Sequence, residues 1–259
     1  MLVVILSVFL IISSLGGMLL PDMYARETGD WKVQSFAQDL FDLVFAVPAL
    51  LISAWIFQKG SRPAFFMLAG VLLFLVYTFI IYTLAVHFNR FFLIYCFTLA
   101  LSSYLLIYLL WQTGSAKVKL WFEPSSVSVP VAYMLLFAAL FYFLWLSSII
   151  PALIWGYTPP VLEQSGLFTN PVHVIDLSFL LPGFVITAFL LQNKHALGFV
   201  FAPAIMTFSV IMTLSIATLL FYEYAKGFAA DYQPAIAMIF FSTVSVFVFI
   251  RFMKNLKSN

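Results

Sequence analysis

The chain has 259 residues, 64% of them hydrophobic and only 8% charged, with a formal net charge of +2 and a mean hydropathy of +1.09. A soluble domain is about one quarter charged, so this much apolar surface has to be solvated by lipid. The small net charge without a basic cluster excludes a nucleic-acid surface, and the single cysteine, Cys96, excludes an internal disulfide.

Apolar runs long enough to cross a bilayer lie near residues 2–20, 38–57, 64–86, 91–111, 130–156, 172–191, 197–222 and 234–252. The expected fold is therefore all-α: a polytopic transmembrane helix bundle of eight spans, forming one integral membrane domain over 1–259 with membrane lipid around it. The longest connections, 21–37, 112–129 and 157–171, leave no room for a separate soluble domain. No Lys or Arg precedes Arg26 and no clear small-x-small site follows the first run, which points to a retained span rather than a cleaved signal peptide.

Basic residues set the expected orientation. Lys59, Arg62, Lys117, Lys119, Lys194, Arg251, Lys254 and Lys257 lie on the side of the N-terminus, and Arg26, Lys32, Arg90 and Lys226 on the other. The excess predicts that both termini are cytoplasmic. Nine of the ten acidic residues fall on the opposite side, with Glu123 the exception. They predict a negative outer face that attracts cations.

Within these runs one segment occurs twice. Residues 42–58 read DLVFAVPALLISAWIFQ and residues 176–192 read DLSFLLPGFVITAFLLQ, in register at a constant offset of 134 without a gap. An even number of spans separates them, so both run in the same direction. They predict two parallel four-helix repeats, roughly 1–115 and 128–259, related by an axis along the membrane normal. Beyond this segment, Phe65 and Phe199 keep the offset.

Each copy places a carboxylate, Asp42 or Asp176, ahead of a proline, Pro48 or Pro182. The prolines predict kinks that free the carbonyls of Val44 and Ser178. Asn170-Pro171 predicts a capped helix start for the second copy, and Ser35-x-x-Gln38 has capping-box spacing in the first. Both carboxylates then sit roughly 9–10 Å below their helix starts, at 1.5 Å per residue. Two readings follow: an intramembrane acid marking a cation path or polar cavity, or an acid held near a helix N-terminus by the dipole and by water. Helical spacing puts Phe45, Ala49 and Ser53, and Phe179, Gly183 and Thr187, on the face below each acid. These small-xxx-small pairs allow close helix contact and predict that the second and sixth spans face the protein interior; if they cross at the pseudo-twofold axis, the two carboxylates converge.

The other candidates lie near the same face. His173 is three residues before Asp176, but a metal site would need a third ligand from His87, Glu163 or Asp39, and no complete ligand set is present, so no metal and no cofactor is expected. Asn89 and Arg90 form the turn between the third and fourth spans, where Arg90 can pair with Asp39, Asp42 or Asp176, or hold an anionic group. Tyr77, Tyr82, Tyr95, Tyr104 and Tyr108 cluster in those two spans, as pocket lining or as interfacial anchors. Walker, dinucleotide-binding, HExxH and GxSxG motifs are absent, which argues against an enzyme.

The stretches TNPVHVIDLSFLLPG (169–183) and YTLAVHFNRFFLIYCFTLALSSYLLIY (82–108) resemble a group of polytopic bacterial membrane proteins. That resemblance implies a bacterial cytoplasmic membrane and a single integral domain, and it carries over no activity and no functional residue. The residues lead to a transporter-like protein for a small solute or cation, with an acidic outer vestibule around Asp42 and Asp176. The alternatives are a sensory or scaffold protein binding partner helices, and a lipid-modifying enzyme using the outer acids, His173 and Arg90.

Overall fold

A computed structural model describes residues 1–123 and 126–257. Among them, eight long apolar helices form an all-α bundle: Leu2–Leu19, Gly29–Gln58, Arg62–Ala85, Phe92–Thr113, Ser128–Trp155, Pro171–Gln192, Ala196–Ala225 and Gln233–Met253. At 1.5 Å per residue even the shortest is about 27 Å long, close to the thickness of the hydrocarbon core. The protein is a multi-pass membrane protein. Short helices at Ser115–Leu120 and Pro160–Ser165 interrupt two of the long connections.

The second span starts earlier than hydropathy predicts. Thr28 caps it, its hydroxyl accepting from the Trp31 amide at 3.3 Å, and the helix runs from Gly29. Ser35 is inside the helix, donating to the Trp31 carbonyl at 2.8 Å, and caps nothing. Asp42 thus lies 13 residues below its helix start, about 20 Å down the axis. In the sixth span the expected cap is present: Asn170 Oδ1 accepts from the Val172 amide at 2.9 Å, with Pro171 in the first helical position.

Both copies of the recurring segment adopt the same local structure. Asp42–Ala46 and Asp176–Leu180 are π-helical turns, each followed directly by α-helix, Val47–Gln58 and Leu181–Gln192. A proline one residue into the new helix explains the turn. It has no N–H, and its ring collides with the carbonyl four residues back, so the chain widens by one residue. Val47 then donates to the Asp42 carbonyl, and Leu181 to that of Asp176, five residues back in each case. Val44 and Ser178, whose carbonyls the prolines release, lie on the exposed side of their helices.

The centre of the bundle is the crossing of the third and seventh spans. In their most apolar stretches 72% and 56% of residues are buried, against 39% in both the second and the sixth. A Cβ on Gly70 would lie 2.7 Å from the Ala204 carbonyl oxygen and 2.7 Å from Thr207 Cγ2, so a bare glycine sets this approach. Gly183, which the sequence offers as a close-packing position, instead faces open space. Phe45 and Phe179 are exposed, while Ser53 and Thr187 below them are buried.

Packing follows one scheme in both halves. The first span packs on the second and fourth, and the fifth on the sixth and eighth. The third packs on its neighbours in sequence, and so does the seventh. Across the middle the second span meets the seventh, and the sixth meets the third. The segment joining the halves tucks beneath the bundle on the face that carries the chain termini. There Val118 and Phe122 are buried, and Phe122 stacks on Phe252 at 5.0 Å. The Glu123 amide donates to the Asn255 carbonyl at 2.9 Å, and the Lys257 amide to the Trp121 carbonyl at 2.8 Å.

A polar cavity at the distal face

Opposite the termini, the connections after odd-numbered spans form the distal face. Here the acids that the sequence singles out take three different environments. Asp39 is buried between two phenols: Tyr24 donates to it at 2.6 Å and Tyr82 at 2.9 Å. Gly17 of the first span makes room for this pair, since a Cβ there would collide with the Asp39 carboxylate and the Tyr24 hydroxyl. Tyr24 lies in the connection after the first span. Burial, then the adjacent Asp39 carboxylate, hold its phenol well above the ordinary range, so it stays a donor.

Asp42, also buried, accepts from Gln38 Nε2 at 2.8 Å, one helical turn earlier. The Gln38 carbonyl oxygen accepts in turn from Ser215 of the seventh span at 2.7 Å. Asp176 accepts from Tyr77 of the third span at 3.0 Å and from Trp145 Nε1 of the fifth at 2.8 Å. Among the described residues, Asp42 and Asp176 share no hydrogen-bond partner and accept from no backbone amide. The dipole explanation of these acids therefore gives way to side-chain networks, each anchored on a central span of the other half.

Asp176 opens onto a cavity of about 560 Å³ between the second, fifth, sixth and seventh spans, roofed by the connection around Pro159–Leu167. His173, Asp30 and Glu223 line it with Trp145, Trp31 and Tyr77, and no Lys or Arg is among the lining residues. The Trp145 and His173 rings pack at 4.7 Å, which joins His173 to Asp176 through the indole. The Trp31 indole N–H is buried and has no hydrogen-bond partner among the described residues. A smaller cavity of about 110 Å³ adjoins the acidic one, sharing Trp31 and Tyr77 and lined as well by Gln38 and Ser215. Asp42 is thus one hydrogen bond behind a cavity wall, while Asp39 is sealed among tyrosines.

Arg90 and Asn89 stand apart from this cavity. Arg90 pairs with Asp22 on the distal rim rather than with any of the three candidate acids. Asn89 Oδ1 accepts from the Phe91 amide at 2.8 Å, in the turn just before the fourth span. His87 faces Glu27 at 2.9 Å. Among the described residues no group of three His, Cys, Asp or Glu side chains is placed to hold a metal ion. Of the tyrosine cluster, Tyr77, Tyr82 and Tyr95 are buried in these networks, and Tyr104 and Tyr108 are exposed.

Trp145, Trp31 and Ser215 escape a sequence reading, and Glu223 enters it only as one of the acids of the outer face. Nothing along the chain distinguishes Trp145 from an interfacial anchor, and a serine within an apolar run carries no signal of its own. Gln38 is visible in the sequence only as half of a capping box. Comparison with protein-family models, curated proteins and solved structures finds no match, so the chemistry of the cavity itself has to carry the functional reading.

Proposed function

We propose that this protein binds a small cationic solute in the distal cavity and carries it across the membrane. The observation that carries this reading is the lining: Asp176, Asp30, Glu223 and His173 with no Lys or Arg, inside a membrane-embedded bundle. An uncompensated acidic lining focuses a negative potential that concentrates cations, and acids within a membrane domain are costly unless they serve such a path.

The proposal includes orientation and origin. The excess of Lys and Arg on the termini face supports cytoplasmic termini, with the cavity facing outward. The shared offset of 134 in the π-helical turns, the helices that follow them and the starts at Arg62 and Ala196 supports a duplicated four-span unit. Transporters built from such repeats bind at the interface between them. Here Asp176 is held by Tyr77 of the other half. The scaffold alternative relies on small-residue faces free to meet partner helices; Ser53 and Thr187 are buried within the bundle, whereas Gly183 of the same faces meets open space.

Proteoliposomes loaded with tetramethylammonium or sodium test the proposal. Asp176→Asn keeps one acceptor but removes the charge, and we expect it to lower cation flux by at least about tenfold, the effect of losing one charge-assisted contact. Asp42→Asn, behind the wall, is expected to have a smaller effect. Flux unchanged by the Asp42→Asn, Asp176→Asn double substitution rules the reading out.

A further inference from the structure

On the face of the chain termini, a cavity of about 430 Å³ opens where the second span ends, the third begins and the eighth ends. Lys59, Arg62 and Lys257 line it beside the apolar Pro63, Met253 and Leu256, and no acid is among its lining residues. The Arg62 guanidinium donates to the Lys257 carbonyl at 2.8 Å and lies over the Trp121 ring at 5.8 Å, so it is held in place. Among the described residues none of these cations pairs with a carboxylate. Converging like charges repel one another unless an anion neutralises them.

The fold does not require these charges. At the offset of 134, the turn between the sixth and seventh spans has Asn193 in place of Lys59 and Ala196 in place of Arg62. The two turns nevertheless leave their helices alike, with φ −83° and ψ 7° at Lys59 and φ −79° and ψ 8° at Asn193. In the second turn His195 Nδ1 accepts from the Leu197 amide at 3.3 Å and caps its helix. Ser61, at the matching place, makes no capping bond and lines the cavity instead.

We propose that this cavity binds the headgroup of an anionic phospholipid from the leaflet on the termini face. Basic pockets between span ends are suited to such headgroups. Arg62 supplies directed N–H donors to the phosphate oxygens, and Lys59 and Lys257 supply the charge that neutralises it. Height in the membrane favours a lipid over a soluble phosphate. Trp55, one turn before Lys59, is 58% exposed, and the Lys59 ammonium lies 3.3 Å from its ring centroid. An exposed tryptophan at the end of a span sits at the level of the headgroups, which brings Lys59 and the cavity to the height of the lipid phosphates. Pro63, Met253 and Leu256 give the glycerol region an apolar wall. A zwitterionic lipid fits less well, because its own ammonium would meet the cations.

Native mass spectrometry of the full chain in detergent, titrated with dioleoylphosphatidylglycerol or dioleoylphosphatidylcholine, tests this. We expect the first phosphatidylglycerol to bind about thirtyfold more tightly than phosphatidylcholine, and the Lys59→Gln, Lys257→Gln variant to lose that preference, at roughly fivefold for each lysine near a membrane surface. This variant keeps Arg62 and its bond to the backbone of residue 257, so the turn stays folded. Lys117→Gln, Lys119→Gln removes the same charge from exposed positions on the same face and should keep the preference. Equal affinities for the two lipids overturn the proposal. Equal losses in the two variants assign the effect to the general charge of the face and overturn the cavity as its source. Displacement of bound phosphatidylglycerol by inorganic phosphate overturns the lipid assignment and makes the cavity a site for a soluble phosphate.

Discussion

Replacing Gly70 with leucine should destabilise the bundle strongly. The crossing of the third and seventh spans is built on that glycine, and even the first carbon of a side chain meets the Ala204 carbonyl oxygen at 2.7 Å. A backbone oxygen cannot move aside as a flexible side chain can, so the helices themselves must part. In lipid no hydrophobic force pushes them back together, because van der Waals packing supplies most of the attraction. Overpacking of this kind costs about 1–3 kcal/mol in a core, and the upper end is expected here for Gly70→Ala, with Gly70→Leu beyond it. Gly183→Ala is the control. It fills open space and removes a helix glycine, so it should be neutral or stabilising by up to about 1 kcal/mol. Unfolding in rising dodecyl sulfate, followed by circular dichroism, gives both values. Equal stability of Gly70→Ala and Gly183→Ala would show that the crossing is not the close contact described.

Why Gly183 and not Gly70 drew attention in the sequence is a matter of solvent. In water an apolar stripe tells which side of a helix is inside. In lipid the outside is as apolar as the inside, so hydropathy finds spans and cannot rank their faces. The eight spans were legible because a bilayer demands about twenty apolar residues each. The start of the second span was not. Its first turns carry Asp30, Lys32 and Gln34, polar residues that lower the hydropathy without breaking the helix, and its cap is Thr28 rather than Ser35. The recurring segment was legible as a sequence, and its prolines announced a disturbed helix. That the disturbance is a π-helical turn opening at the aspartate follows only from the backbone.

The candidate site divides in the same way. Asp39, Asp42, Asp176 and His173 stand out because polar residues in apolar runs are few. Their partners do not, because Tyr77, Trp145 and Ser215 come from spans far away in sequence, each an ordinary residue in its own run. Sequence spacing suggested that Asp42 and Asp176 converge on the axis. The centre of the bundle is instead occupied by the third and seventh spans, which send Tyr77 to one acid and Ser215, through Gln38, towards the other. The acids therefore differ in access, and only Asp176 lines the main cavity.

That difference gives the second large effect. Asp39→Ala should cost about 4 kcal/mol of stability with no specific effect on cation binding. The carboxylate is fully enclosed and receives the Tyr24 and Tyr82 hydroxyls at 2.6 and 2.9 Å. Removing it strands two buried hydroxyls, each costing about 1–3 kcal/mol when unsatisfied. Tyr24→Phe removes one donor and leaves the acid its second, so it should cost only about 1 kcal/mol. Asp39→Asn keeps one acceptor oxygen and presents an amide to the other phenol, whose hydroxyl oxygen can accept; its cost should fall between those of Tyr24→Phe and Asp39→Ala. Dodecyl sulfate unfolding of the three variants and of the Tyr24→Phe, Asp39→Ala double substitution measures the coupling directly. A double variant as unstable as the sum of the singles would show that the phenol and the acid do not act as a pair. The functional contrast comes from the same proteins: Asp39→Asn should retain tetramethylammonium binding while losing stability, and Asp176→Asn should lose binding at little cost in stability. The reverse pattern would move the site from the cavity to the tyrosine-sealed acid and undo the assignment of roles among the aspartates.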